Sequence, residues 1–361
     1  MQIVFAHNPT GWGDDGAPIP GGMSDAHIEP VRRQLVPGSY VEVDSPMSGE
    51  VVNVYYTHRR NYGANRERGW RSVFAGHGLA DKAWRNAGRV RDYDFVVTSG
   101  PAWTQRLVTG GYPGAHLLEV GYPKLDPIFN GEIDSPWPER DGRIRVLWAP
   151  THGGGGERYR RSSTPPATAG ARRTMHWRRD EVIDALPESE CVVMAAPHPR
   201  HRSDGRSTLA EYVGADVVIA DGGSTIYEAW ALGLPVVFAS WITAEAHLTR
   251  RVTSFEADIY RHQVGRHAGS AEELPGLVAS AAGAGISEVE AMFIEPILPA
   301  SLRGRGAMLL ADALTAIAGG HAPHHDSKLK FRHRGDGKVV EVAAVSPRAR
   351  RFRLSDRWEL V

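Results

Sequence analysis

The chain has 361 residues, of which 42% are hydrophobic and 23% charged, and its formal net charge at pH 7 is +0. This composition is typical of a globular protein with two ordinary domains. The neutral balance excludes binding of a polyanion through overall charge. The single cysteine, Cys191, excludes an intramolecular disulfide.

The sequence carries no signal for a membrane or for export. It contains no run of about 18 apolar residues, so no transmembrane helix is expected. Its first residues, MQIVFAHNP, lack the basic start and the long apolar core of a secretory signal. We therefore expect a cytoplasmic protein.

Short apolar runs that end in glycine-rich loops recur through residues 1–140. The first run, residues 2–6, leads into a loop that contains Gly11, Trp12 and Gly13. Such loops lie at the carboxyl edge of an open α/β sheet, where ligands bind. Further strands are predicted at residues 51–56, 72–75, 94–98 and 117–120, and helices at residues 25–35, with a break at Pro30, and 102–108.

His77 lies between Gly76 and Gly78, directly after a predicted strand, and the basic Lys82 follows. Glycines on both sides allow a substrate to approach the imidazole closely. Histidine exchanges protons near neutral pH, so His77 is a candidate general base. The alternative is a loop histidine without a role, since the chain has 16 histidines.

A charged, proline-containing stretch at residues 133–143 separates two series of strands and helices. We therefore predict an acceptor domain at 1–140, a nucleotide-donor domain at 141–318, and a linker with a small basic module at 319–361. The helix at 303–317 is expected to close the second domain. Strands of that domain are predicted at residues 145–148, 191–195, 217–219 and 236–238, and further helices at 180–186 and 271–281.

The stretch ADVVIADGGSTIYEAWALGLPVVFAS, residues 215–240, reads as strand, turn, helix and strand. The helix that begins near Ser224 and Thr225 follows two glycines, and the free N–H groups of a helix N-terminus attract anions. We therefore predict a diphosphate at residues 222–225 and a ribose diol on Glu228. The alternative is an ordinary strand–helix turn with a surface glutamate.

Five short motifs follow one another along residues 70–245. Together they resemble the CDP-glycerol glycerophosphotransferase family of teichoic acid synthesis and, more broadly, GT-B glycosyltransferases. The resemblance implies an α/β fold of two facing Rossmann-like domains, with the donor in the C-terminal one. The motifs are His77-Gly78 with Lys82, GYPKLD at 121–126, LWAPT at 147–151, PHP at 197–199 and the stretch 216–235.

The resemblance also implies roles for single residues. His77 matches the family's general base, and His198 matches a histidine that contacts the donor phosphate. Ser224 and Thr225 match the serine pair of the last motif, although the family has DYSS where this chain has DGGST. Glu228 matches a glutamate of the wider class, which suggests a sugar nucleotide rather than CDP-glycerol.

We therefore expect a glycosyltransferase that needs neither a metal nor a cofactor and moves a sugar from a nucleotide-sugar donor to an acceptor hydroxyl. The helix N-terminus and the histidines would stabilise the leaving diphosphate. The predicted donor contacts are Thr151, His152, His198, Arg200, Gly222, Gly223, Ser224, Thr225 and Glu228. The predicted acceptor contacts are Gly11, Trp12, Gly13, Lys82 and Lys124.

The C-terminal segment differs in composition from the rest. Residues 328–361 contain ten Lys or Arg and four Asp or Glu, and two alternating runs flank an Asp-Gly turn signal. We expect a β-hairpin that contacts an acidic partner or a second copy of the chain; the alternative is an appendage packed on the main body. Its last residues resemble segments of actinobacteriophage structural proteins, which suggests a phage enzyme in a host cytoplasm that modifies a virion protein, a DNA base or a surface polymer.

Three other functions remain open. A glycerophosphotransferase would move phosphoglycerol from CDP-glycerol, and a hydrolase similar to UDP-sugar 2-epimerases shares the two-domain layout. A nucleotide-sugar-binding or virion-assembly protein would bind without turnover. A dinucleotide-dependent oxidoreductase is disfavoured because no G-x-G-x-x-G follows the first strand.

Overall fold

Two parallel β-sheets, each covered by helices, form the body of the molecule. The computed structural model describes residues 1–6, 25–43, 47–56, 71–76, 78–80, 90, 93–151, 175–198, 208–243 and 254–321, with three short strands within 329–360. Both sheets consist of short β-branched and apolar runs, which suit strands that are buried on both faces. The α/β class expected from the sequence is confirmed.

The first sheet has six strands in the order β2-β1-β3-β4-β5-β6, and every neighbouring pair is parallel. Its strands are β1 (Gln2–Ala6), β2 (Tyr40–Val43), β3 (Val51–Tyr55), β4 (Arg71–Phe74), β5 (Phe95–Thr98) and β6 (Leu117–Glu119). Its helices are α1 (Asp25–Arg32), α2 (Pro101–Thr109) and α3 (Asp126–Phe129), with 3-10 turns at Gly114–His116 and Pro123–Leu125.

The second sheet has five parallel strands in the order β8-β7-β9-β10-β11. Its strands are β7 (Ile144–Trp148), β8 (Cys191–Ala195), β9 (Val217–Ala220), β10 (Val236–Ala239) and β11 (Arg266–Ala268). Its helices are α4 (Arg179–Ile183), α5 (Ser224–Ala231), α6 (Phe255–Arg261), α7 (Leu274–Ala284) and α8 (Glu288–Ile294), with 3-10 turns at Met175–Arg178, Ala210–Tyr212 and Ala300–Leu302.

In both sheets the order in which strands are added reverses at the first strand. The second strand of each lies on one side of the first, and the third lies on the other side. In open α/β sheets this reversal opens a crevice at the carboxyl ends of the two central strands. The second sheet therefore presents a ligand crevice after β7 and β9, where the sequence places Thr151 and the DGGST turn.

The final helix, α9 (Gly306–Ala318), packs on the first sheet, although the sequence predicted that it would close the second domain. Its buried face lies with Ile3, Phe5, Val52 and Val54 of β1 and β3. An apolar stripe at helical spacing shows that one face is buried but not which sheet covers it. The chain therefore returns to the first domain at its end. The buried residues of this face are Ala307, Leu310, Ala311, Leu314 and Ile317.

Helix α1 continues through Pro30, where the sequence predicted a break. Proline removes one backbone hydrogen bond from a helix, and α1 ends two residues later at Arg32. Ile28 and Val31 on either side of Pro30 are at most 1% exposed. Packing of these side chains against the first sheet therefore holds the turn that contains Pro30.

Asp126 joins the end of the first sheet to the start of α9. Its Oδ2 accepts a hydrogen bond of 2.6 Å from the backbone N–H of Ala307. Burial raises the pKa of Asp126 to about 6, and backbone N–H groups near the start of α9 partly oppose this rise. Because the native pKa lies above the ordinary value of 3.8, the native protein binds this proton more tightly than the unfolded chain.

We expect the free energy of unfolding to fall as the pH rises from about 4 to about 6, by up to about 3 kcal/mol from this group. The Asp126→Asn protein should lose this decline. Urea unfolding at several pH values checks it, with Asp180→Asn as the control because the Asp180 side chain is 82% exposed. An unchanged pH profile in the Asp126 variant would contradict the assignment.

The C-terminal module forms a separate three-stranded antiparallel sheet. β12 (Leu329–His333) pairs with β13 (Val339–Val342), as the alternating pattern predicted, and also with β14 (Trp358–Leu360). The sequence predicted an anchoring role for Trp358 but no strand there. Contact of this module with a partner or a second copy stays a prediction.

Candidate functional site

Asp221 organises the carboxyl edge of the second sheet. It directly follows β9 and is 3% exposed. Its Oδ1 accepts the N–H of Thr151 at 2.8 Å, and its Oδ2 accepts the N–H of Met175 at 3.0 Å. One buried carboxylate therefore fixes Thr151, three residues after β7, and Met175, which begins the next 3-10 turn. Both lie at the crevice between β7 and β9.

The N-terminus of α5 opens into the same crevice. Gly223 precedes the helix with a φ of 82°, a conformation that glycine adopts without strain. Because glycine has no side chain, Gly223 does not cap the N–H groups at the helix start with one. Its own N–H donates to the buried carboxylate of Glu256. The first backbone N–H groups of a helix have no carbonyl partner within it. The start of α5 therefore has N–H groups of the kind that bind anions, and the diphosphate contact at residues 222–225 stays a prediction.

The hydroxyls of the first two residues of α5 lie near two buried phenols, Ser224 near Tyr122 and Thr225 near Tyr212. Burial, followed by the charge of Glu228, raises the pKa of both tyrosines well above the usual value. Both phenols are therefore neutral, and both donate to Glu228.

Glu228 lies one turn further along α5 and is 1% exposed. Its Oε1 accepts hydrogen bonds from Tyr122 at 2.9 Å and from the Lys124 ammonium at 2.7 Å. Its Oε2 accepts a bond from Tyr212 at 2.9 Å. Tyr122 and Lys124 follow β6 of the first sheet, so this cluster joins the two domains. We call Glu228, Lys124, Tyr122 and Tyr212 the interdomain cluster.

This geometry corrects two sequence interpretations. A ribose contact needs a carboxylate that can reach the ligand, but both oxygens of Glu228 bond within the protein and are buried. Lys124 was predicted to contact the acceptor, but its ammonium forms an ion pair with Glu228. Because a buried carboxylate needs a charged partner, the structure favours a tie between the domains over a ligand contact for both residues.

The loop of the first domain that contains His77 reaches the start of α5. The N–H of Ala80 donates to Ser224 Oγ at 3.3 Å. A Cβ atom on Gly78 would overlap the same oxygen, so a larger residue there would require the Ser224 side chain to move. His77 itself lies outside the described residues, but the residue after it contacts the helix that was predicted to hold the donor. The predicted catalytic loop and donor helix therefore meet.

A cavity of about 70 Å³ lies on the first-domain side of this contact, at the carboxyl ends of the central strands. Gly76 and Gly78, which flank His77 in the sequence, line it together with residues that follow β3, β5 and β6. Aromatic and aliphatic side chains form most of its wall. Prominent lining residues are His27, Tyr56, Phe74, Val96, Trp103, Tyr122 and Leu310.

The other predicted site residues divide into two groups. His198 is half-buried and lies three residues after β8, the strand next to β7, so it shares the crevice edge with Thr151 and the turn at residues 222–225. Its contact with a donor phosphate stays a prediction. The predicted residues outside the described part of the chain are Gly11, Trp12, Gly13, His77, Lys82, His152 and Arg200.

Sequence reasoning assigned no role to Tyr122, Tyr212 or Glu256. Tyr122 lies 106 residues from Glu228, its partner, and no local pattern connects them. Tyr122 does belong to the GYPKLD motif, so the family resemblance was the one signal for it. Glu256 is fully buried although it is the second residue of α6, where an acidic residue in sequence looks like an ordinary exposed one.

Neither a metal cluster nor a membrane span is found in the described residues. No three His, Cys, Asp or Glu side chains lie together there as metal ligands would. The sequence contains an Asp-x-Asp pattern at residues 92–94. The carboxylate of Asp94 accepts hydrogen bonds from the N–H and the hydroxyl of Ser72, and Asp94 precedes β5, so it does not lie at the carboxyl edge of the sheet. Within the same residues no single helix is long and apolar enough to cross a membrane; the bent pair α7 and α8 passes by length and composition alone.

The comparisons with known proteins identify the architecture. No protein-family model matches the sequence, and no curated protein sequence matches it either. Among solved structures, the wall teichoic acid polymerase TagF matches with a TM-score of 0.56 over 88% of this chain and 89% of its own, at 13% identity. The chain has the GT-B fold. S. aureus MnaA, solved with UDP, matches with a TM-score of 0.52 over 88% of this chain and 97% of its own, at 10% identity.

The fold match agrees with the motif order in the sequence. Both similar proteins align along nearly their whole length, so the likeness spans both sheets. At 13% and 10% identity the likeness concerns the fold. The expectation of two facing Rossmann-like domains is thereby confirmed, while the substrate must be argued from the site.

Proposed function

We propose that the protein is a glycosyltransferase that moves a sugar from a nucleotide-sugar donor to an acceptor hydroxyl. The observation that supports it most is the contact of the Gly78 loop with the start of α5. Through this contact the residue after His77 in the sequence lies against the helix that is proposed to bind the donor diphosphate. The TagF match and the match to MnaA, solved with UDP, agree with nucleotide-linked substrates.

In this proposal the donor occupies the crevice of the second sheet. Its diphosphate lies on the backbone N–H groups at the start of α5, which carry the positive end of the helix dipole. Gly222 and Gly223 allow the phosphates to approach the backbone, and Thr151 and His198 lie at the neighbouring strand ends. His152 and Arg200, outside the described residues, remain proposed donor contacts. Glu228 stabilises this binding site without contacting the donor, because its hydrogen bonds hold α5 against Tyr122 and Tyr212.

The proposed reaction is a displacement at the anomeric carbon. The acceptor oxygen forms a bond to that carbon, the bond from carbon to the diphosphate oxygen breaks, and the nucleoside diphosphate leaves. His77 takes the proton of the acceptor hydroxyl. The start of α5 stabilises the negative charge that develops on the leaving diphosphate. Gly11, Trp12, Gly13 and Lys82 remain proposed acceptor contacts.

A glycerophosphotransferase is the second candidate, since the wall teichoic acid polymerase TagF shares the fold. The same seat would then hold the pyrophosphate of CDP-glycerol, and phosphoglycerol rather than a sugar would be transferred. We also propose that the protein has a phage origin and that its acceptor is a virion protein or a surface polymer.

A turnover panel separates these candidates. The protein is incubated with UDP-, GDP-, CDP- and dTDP-sugars and with CDP-glycerol, and the released nucleotide is identified. We expect a nucleoside diphosphate from one class of sugar nucleotide. Release of CMP from CDP-glycerol would instead establish the glycerophosphotransferase. Tight binding without release of either would make the protein a binding module.

A further inference from the structure

We propose that Arg106 and Phe255 are positioning residues for the donor site, through which the first domain holds the turn at residues 221–223 in its binding conformation. This inference rests on the proposed function, because it takes the donor diphosphate to bind beside that turn. Neither side chain has to contact the donor. Both act through α6, which contacts the first domain and the turn.

Two buried side chains of α6 hold the turn. The carboxylate of Glu256 accepts the backbone N–H of Gly223, and the phenol of Tyr260 donates to the backbone carbonyl of Asp221 at 3.1 Å. Glu256 is 0% exposed and Tyr260 is 2% exposed. The two bonds reach the turn on either side of Gly222. Because two successive glycines allow many backbone conformations, bonds from outside the turn select one of them.

The bond to Glu256 also affects the groups that a phosphate could use. Gly223 gives its N–H to Glu256 and directly precedes α5. The next N–H groups, those of the first turn of α5, have no carbonyl partner within the helix. The conformation of Gly223 sets the direction in which the chain enters α5. A displacement of α6 is therefore expected to weaken anion binding at α5 without removing a group that contacts the anion.

The start of α6 packs against α2 of the first domain. The guanidinium carbon of Arg106 lies 3.9 Å from the centre of the Phe255 ring, and the Trp103 ring meets the same ring edge-on with 5.3 Å between the centres. A guanidinium within about 6 Å of the centre of an aromatic ring is attracted to its face. Phe255 directly precedes Glu256. The contact with the first domain therefore lies one residue from the side chain that holds Gly223.

A change in the first domain should thus weaken binding in the second. Without the contact, a smaller fraction of the molecules has the binding-competent turn, and the apparent affinity falls by that fraction. We expect Arg106→Met, which loses the charge, to weaken nucleoside diphosphate binding about threefold to tenfold, the range of an ordinary cation–π contact. Arg106→Lys keeps a cation beside the ring and should bind within about twofold of the unsubstituted protein.

The experiment titrates UDP, GDP, CDP and dTDP into each full-length protein by calorimetry, and urea unfolding records its stability. A purely structural role would lower stability and leave the affinity of the folded protein unchanged, and that result would overturn the proposal. Arg261→Met is the matched control, because Arg261 is exposed at the other end of α6 and pairs with Asp258. An equal loss of affinity in this control would also overturn the role of the Arg106 contact.

A second pair of variants tests whether the two residues act through one contact. Phe255→Leu removes the ring and should weaken binding, whereas Phe255→Tyr keeps the ring and should restore it. Arg106→Met combined with Phe255→Leu should lose no more affinity than the weaker-binding single variant, because both changes remove the same contact. Losses that multiply in the double variant would contradict the proposal.

The unsubstituted protein separates this inference from the proposed function. If it binds a nucleoside diphosphate and folded Arg106→Met binds equally well, the positioning role falls and the donor site stands. If it binds none of the four nucleotides, the donor site falls, and the positioning role falls with it.

Discussion

Replacement of His77 by alanine is expected to lower the rate of group transfer by about 10²–10⁴-fold, the usual contribution of a general base. The affinity for the nucleotide should stay within about twofold, because the donor seat at α5 belongs to the other domain. The loss of rate is expected because Gly78, the residue after His77, contacts Ser224 at the start of that helix. The measurement is the transfer rate together with calorimetric titration of the nucleoside diphosphate.

His262→Ala is the matched control, since His262 is exposed at the end of α6. It should leave both rate and affinity unchanged. An unchanged transfer rate in His77→Ala would exclude the proposed base. Loss of nucleotide binding in that variant would instead give His77 a place in the donor site.

Replacement of Lys124 by methionine is expected to lower the free energy of unfolding by about 3–5 kcal/mol. The side chain of Lys124 is 10% exposed and its Glu228 partner 2%, so loss of the ammonium leaves a carboxylate buried without its charge partner. Replacement of both by apolar residues, Lys124→Met with Glu228→Leu, buries no charge, but it should recover only part of that loss, because the buried hydroxyls of Tyr122 and Tyr212 then lose their acceptor. Urea unfolding of the two single variants and the double variant measures the coupling.

The ion pair between Arg140 and Asp216 provides the control. The Arg140 side chain is 61% exposed, so Arg140→Met should cost no more than about 1 kcal/mol. A similarly small effect of Lys124→Met would show that the interdomain cluster does not hold the domains together. A folded Glu228→Gln protein with at least tenfold weaker nucleotide binding and unchanged stability would return Glu228 to the donor site.

The strands of both sheets could largely be predicted from the sequence. Runs such as CVVMA and VVIA are apolar and β-branched, and the structure has strands at Cys191–Ala195 and Val217–Ala220. The strands that were missed lie at sheet edges. β2 (YVEV) and β11 (RHA) contain charged residues, and they are strands because an apolar neighbour, β1 or β10, supplies their backbone hydrogen bonds.

The candidate site could be predicted only in its local parts. The turn at residues 222–225 and its helix are local features, so their residue types revealed them. The environment of Glu228 depends on Tyr122 and Lys124, which are more than 100 residues away. A glutamate at the fifth helix position looks the same in sequence whether it faces solvent or a buried lysine. The position of α9 on the first sheet was missed for the same reason.

The most direct test of the account is whether the second domain binds nucleoside diphosphates. We expect one of UDP, GDP, CDP or dTDP to raise the melting temperature, because a ligand at about 100 times its dissociation constant adds about 2.7 kcal/mol to the stability of the native state. The corresponding free nucleoside should give a much smaller shift, since it lacks the diphosphate that we propose α5 binds. No shift with any of the four, or equal shifts with nucleoside and diphosphate, would contradict a diphosphate seat at the start of α5.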